Sequence, residues 1–261
     1  MIRMESIESC GVEASPKRDL RNVLPAGFSE KHIGIDEKHW WEFEDALNSV
    51  VRWQDEYSNE YVAEETVFEH VYAMLAIIND IEDNYPKLAS AIKLDDVRLM
   101  TLIHDLGETL RGDVPYTMRE SKSKNKSKFD FEKLFAVRIL KRAPEGKKEK
   151  LIDLYQRQHE RREDDAEAHF MKFLDVLQGE MFGQKAGIFE VRARYNYGYE
   201  GSGNTPKPEY YKNLCDGVID ALADKKDAIG EFKELVNTML LSENALAGHY
   251  PSEAISDLKY D

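Results

Sequence analysis

LDDVRLMTLIHDLGETLRGDVP, residues 94–115, is the stretch that decides the fold. Val97, Leu99, Met100, Leu102, Ile103 and Leu106 recur at the three-and-four spacing of an amphipathic helix, with Asp95 or Asp96 at its start and the glycines of its exit at its end. The same spacing extends outward on both sides. Upstream it predicts helices over Trp40–Trp53 (Trp40, Phe43, Leu47, Val50 or Val51) and Glu64–Glu82 (Val67, Val71, Met74, Leu75, Ile78). Downstream, past a Lys/Ser run at 121–128, it predicts helices at about 129–142, 146–160 and 165–182, then one or two more from Tyr210 to about Leu241. Strand signals are nearly absent, so the expected fold class is all-α. Residues 1–38 read as an irregular N-terminal extension, 39–182 as the helical domain, and 183–261 as an aromatic, turn-rich segment (with a hairpin or ordered loop) and C-terminal helices packed on that domain.

Charge narrows the classes of function. The 261 residues carry 36 basic and 50 acidic side chains, a net charge of −14, which repels nucleic-acid polymers and anionic membrane surfaces. An anionic small molecule would need a local basic site. The two cysteines, Cys10 and Cys215, form neither a disulfide framework nor a thiolate metal motif, and the longest apolar run, Val71–Ile78, is too short to span a bilayer. These features predict a cytoplasmic protein, and they are compatible with a homodimer.

Seven histidines are the scarce chemical resource. His70 sits among the apolar residues of one helix, and His104 with Asp105 ends another. A histidine on an apolar face is more often a satisfied core residue than a ligand, but a second histidine beside an aspartate changes the balance. Imidazole nitrogen with carboxylate oxygen suits divalent zinc, manganese, iron or cobalt, and a further ligand from a distant helix would complete a cage. Asp175, in HFMKFLDVLQ, is the candidate; its alternative is an ion pair to Lys172 or Arg157. Glu108 lies one helical turn beyond His104 and so can serve as acid or base beside a metal. Asp113, in the Gly112-Asp113-Val114-Pro115 turn, is either a second carboxylate returned towards Glu108 or an ordinary turn residue.

Five pieces in order, Arg52-Trp53, Glu69-His70, His104-Asp105-Leu106-Gly107-Glu108, Gly112-Asp113-Val114-Pro115 and Glu167 to Asp175, resemble the HD-domain metal-dependent phosphohydrolases, and more narrowly the HD-domain 5′-deoxynucleotidases. The resemblance implies an all-α bundle holding one divalent metal (manganese, cobalt, zinc, iron or magnesium) through His70, His104, Asp105 and Asp175. It implies Glu108, supported by Asp113, as the catalytic acid/base. Arg52, Trp53 and the turn Asp113, Val114, Pro115 and Tyr116 would bind the substrate. The implied activity is hydrolysis of deoxynucleoside 5′-monophosphates to deoxynucleoside and phosphate, the partner being a small-molecule nucleotide. A nucleoside triphosphate, a cyclic nucleotide, or nucleotide binding without catalysis are the alternatives. His159 and His169 fall where dinuclear relatives place extra ligands, but six residues separate His169 from Asp175 on one helix, so a single metal is expected.

Overall fold

In the computed structural model, Thr66 opens the helix that carries His70 by a reciprocal cap. Its hydroxyl accepts from the Glu69 N–H at 3.1 Å, and the Glu69 carboxylate accepts from the Thr66 N–H at 2.9 Å. The structure describes residues 47–52, 65–110, 133–134, 136–141, 143, 145–187, 208–248, 250, 252 and 255–260, without the side chains of 109, 110, 208, 209 and 257. Its helices are α1 (Val67–Asn84), α2 (Pro86–Ala91), α3 (Leu94–Ile103), α4 (Lys148–Glu160), α5 (Ala166–Lys185), α6 (Pro208–Ala221) and α7 (Lys226–Leu235). A 3-10 turn, Leu106–Leu110, follows α3, and a π turn, Val236–Leu240, continues α7. Residues 136–140 are also helical. The fold is all-α. The two-stranded pairing among the described residues is one antiparallel bridge, Val51 with Thr66.

Helix α5 is the centre of the bundle and packs against α1, α3, α4 and α6. Its buried residues, including Ala168, Phe170, Met171, Phe173, Leu174 and Leu177, run round most of its circumference, as a helix enclosed by others requires. Arg157 of α4 fixes its start. The guanidinium grips Asp165 through two 2.8 Å hydrogen bonds and Glu167 at 2.9 Å, while Asp165 caps α5 by accepting from the Ala168 N–H at 3.0 Å. Helix α6 lies along α5 and α7 packs on α2, so one continuous hydrophobic cluster runs from Leu47 to Leu258. No helix among the described residues is long and apolar enough to cross a membrane.

Several element boundaries differ from expectation. The helix expected to reach Trp53 stops at Asn48, because residues 50–52 turn to pair with residues 65–67: Val67 N–H donates to Val50 O at 2.9 Å and Arg52 N–H to Glu65 O at 2.7 Å. Neither Asp95 nor Asp96 caps α3, whose cap position is Lys93. Asp95 instead pairs with Arg98 at 3.3 Å, and Asp96 with Lys150 at 2.7 Å, while both remain in the first turn where acidic charge suits the helix dipole. The α-helix expected to continue to Leu106 ends at Ile103, and α2 has no counterpart among the expected helices. The expected extension 1–38 and the expected hairpin or loop between 188 and 207 lie outside the described residues.

Candidate metal centre

Four side chains from three elements converge at the junction of α1, α3 and α5. His70 lies in the first turn of α1 and is fully buried. His104 and Asp105 follow the end of α3, and Asp175 sits midway along α5. His70 Nε2 and His104 Nε2 face each other at 3.3 Å. Asp175 Oδ1 is 3.2 Å from His70 Nε2, and Asp105 Oδ2 is 3.0 Å from His104 Nε2 and 3.8 Å from His70 Nε2. The ligand atoms of His70, His104 and Asp175 all lie within 4.8 Å of one another, so this group could hold a metal ion.

The opposite ring nitrogens decide what this cluster can do. His104 Nδ1–H donates to the Thr101 carbonyl at 2.7 Å, and His70 Nδ1–H donates to Gln178 Oε1. In the neutral rings both Nε2 atoms then carry lone pairs pointed at each other, with two carboxylates alongside. Such an array calls for a cation. A proton on His104 is one answer: burial acts against it, but the Asp105 carboxylate and then Asp175 outweigh burial and raise the His104 pKa. Burial, followed by the charge of Arg52, lowers His70. Burial alone would raise Asp105, yet His104 brings it down to about 2. Burial likewise opposes ionisation of Asp175, and Lys172 with His70 overrides it and holds the carboxyl well below its usual range. A divalent ion is the other answer. Metal–nitrogen distances of about 2.0–2.1 Å put neighbouring ligands roughly 3.0–3.4 Å apart, the spacing of the two Nε2 atoms here.

Asp175 meets both of its expected environments. Its Oδ2 pairs with Lys172 Nζ at 2.5 Å while Oδ1 faces His70; Arg157 is engaged elsewhere, with Asp165 and Glu167. Glu108 is carried by the 3-10 turn rather than by a continuing α-helix, its N–H donating to the Asp105 carbonyl at 2.9 Å and one of its carboxylate oxygens buried. Arg52 holds Glu65 at 3.2 Å, so its guanidinium is already engaged in the free protein. Trp53, Asp113, Val114, Pro115 and Tyr116 lie outside the described residues.

His169 turns away from the cluster: its Nε2–H donates to the Arg162 carbonyl at 3.1 Å, and its Nδ1 would lie 2.7 Å from a Cβ at Gly217, where only glycine admits α6 so close. His159 packs edge-on against Tyr155 at 4.6 Å, and burial followed by the charge of Lys133 lowers it to about 4. Two site neighbours escaped the sequence reading, Glu65 and Gln178. Gln178 does carry a signal, a polar residue one turn after Asp175 on a helix that is otherwise apolar there.

A sequence family described as HD domain matches residues 44–193, more than half of the chain. No curated protein matches it. Among solved structures, the chain is similar to a predicted metal-dependent phosphohydrolase from Magnetospirillum magnetotacticum MS-1, with 17% identity and a TM-score of 0.48 over 76% of this chain and 95% of that one.

Proposed function

The chain belongs to the HD-domain family, and from that premise we propose that it is a metal-dependent phosphohydrolase that cleaves deoxynucleoside 5′-monophosphates to deoxynucleoside and phosphate. The observation that carries this reading is the pair of buried Nε2 lone pairs 3.3 Å apart, flanked by two carboxylates that burial would otherwise neutralise. His70, His104, Asp105 and Asp175 would hold the ion. When bound there, a divalent metal supplies Lewis acidity towards a phosphoryl oxygen and makes water nucleophilic near neutral pH.

The chain's own groups supply the rest. Lys172, about one-third exposed, offsets the charge of Asp175, so two carboxylates and one ammonium leave a divalent-ion site net positive. That local sign attracts a phosphate monoester which the −14 total charge would repel. Glu108 moves the proton, taking it from the attacking water and returning it to the leaving sugar oxygen. The sequence resemblance would give Trp53, Asp113, Val114, Pro115 and Tyr116 to the sugar side of the substrate. A 2′-hydroxyl left without a hydrogen-bond partner there would cost about 1–3 kcal/mol, roughly one to two decades in rate.

A phosphate-release panel tests the reading: ribo- and deoxynucleoside mono-, di- and triphosphates and cyclic nucleotides, each with manganese, cobalt, zinc and magnesium. Faster release from deoxynucleoside monophosphates than from the matching ribonucleotides is expected, with little preference among bases. Activity confined to triphosphates or cyclic nucleotides would reassign the substrate. Metal binding without turnover of any of them would leave a nucleotide-binding protein.

A further inference from the structure

We propose that Gln178 is a positioning residue that fixes the tautomer of His70, and through it sets the affinity of the site for a divalent ion. The inference rests on the metal-site reading above. Four side chains form a chain of hydrogen bonds: Arg52 donates to Glu65 Oε2 at 3.2 Å, Gln178 Nε2 donates to Glu65 Oε1 at 2.6 Å, and His70 Nδ1 meets Gln178 Oε1. Glu65, Gln178 and His70 are all buried, so no water competes for these bonds.

Each link dictates the next. An ionised carboxylate only accepts, so the amide of Gln178 must turn its NH₂ to Glu65 and its oxygen to His70. That oxygen also only accepts, so the His70 proton must sit on Nδ1. The Nε2 lone pair is thereby delivered to the centre of the cluster. His104 has its tautomer set by a backbone carbonyl of its own turn, Thr101, which no side-chain change can remove. His70 depends instead on side chains from the segment at Arg52, the residue before the α1 cap, and α5. Partners of this kind orient metal-bound histidines, and losing one typically costs roughly 10- to 100-fold in metal affinity.

The test is zinc affinity of the full chain, measured by competition with a chromophoric chelator, together with the His70 tautomer read from long-range proton–nitrogen NMR. Gln178→Leu should weaken zinc binding by roughly 10- to 100-fold. Glu65→Gln should also weaken it, although it touches no ligand, because the amide introduced at that position can donate to Gln178 and let the Gln178 amide flip its NH₂ towards His70. The double variant Glu65→Gln with Gln178→Glu should recover affinity, since a carboxylate at 178 again accepts from Nδ1. This swap keeps the size of both side chains and so answers any folding defect of Gln178→Leu. Affinity in Gln178→Leu equal to wild type, or a double variant no tighter than Glu65→Gln, overturns the proposal. Wild-type protein that binds zinc no better than His104→Ala overturns the metal site itself along with it.

Discussion

Glu108 sits three residues after Asp105 with its backbone N–H tied to the Asp105 carbonyl at 2.9 Å, so its position follows the His104–Asp105 pair. Glu108→Ala should therefore keep metal content and lose roughly two to four orders of magnitude in rate, which elemental analysis and phosphate release can separate; loss of metal with activity would make it a ligand instead. Arg52, which the resemblance gives to the substrate, is already paired with Glu65. Its removal takes the cation from the buried Glu65 carboxylate, so Arg52→Ala should cost about 3 kcal/mol and lower the melting temperature of the metal-free protein by about 6–12 °C. An unchanged melt would show that the guanidinium serves the ligand alone. His159 gives a pH signature. It takes its proton near 6.5 when unfolded and at about 4 when folded, so the unfolded chain binds more protons between those values and stability falls as pH falls through that window. The loss nears about 3 kcal/mol by pH 4. Denaturant melts of wild type and His159→Gln should diverge below pH 6.5, and parallel curves would remove His159 from the account. At this scale the histidines and aspartates were legible because ionisable groups stand out on apolar helix faces. Glu65 and Gln178 were not, because an acidic residue ahead of a helix or an amide within one is ordinary until the fold sets Gln178 beside His70 and Glu65 beside Gln178.

Helix identity was legible through the 3.6-residue period, which survives any detail of packing. Helix ends were not, because they depend on partners that periodicity does not see. Asp95 and Asp96 look like caps until Arg98 and Lys150 claim them. The turn after His104 reads as continuing helix because one 3-10 turn and one α turn place apolar residues alike. Six-residue α2 is too short to show a period. The start of α1 is the informative exception, since Thr66-Val67-Phe68-Glu69 is a capping box visible in the sequence, though the expected helix begins at Glu64. That cap secures the turn that carries His70. Thr66→Ala should cost about 1 kcal/mol, about 2–4 °C in melting temperature, and should weaken metal binding as well because the ligand's own turn frays. Stability lost with metal affinity unchanged would show that α5 packing alone holds His70.

At the scale of the whole molecule, the helices after residue 207 contribute to the core that builds the site. Phe232 of α7 packs against Phe173 of α5 at 5.0 Å and Phe170 at 6.2 Å, with tilted, edge-to-face geometry. Phe173 is two residues from Asp175, so the aromatic cluster against α7 and the candidate metal centre share one helix. Tyr211 of α6, fully buried, adds a 2.7 Å hydrogen bond to Glu180 further along α5. A sequence division near residue 183 therefore separates chain segments that one hydrophobic cluster joins. Phe232→Ala opens a cavity against α5 and should cost about 3–5 kcal/mol. Because α5 belongs to both halves, the variant should still melt in one transition, at a temperature lower by roughly 6–20 °C, with helix content and bound metal lost together. Two separate transitions, or a C-terminal melt that leaves the metal bound, would mean that α6 and α7 form a satellite and that α5 stands without them.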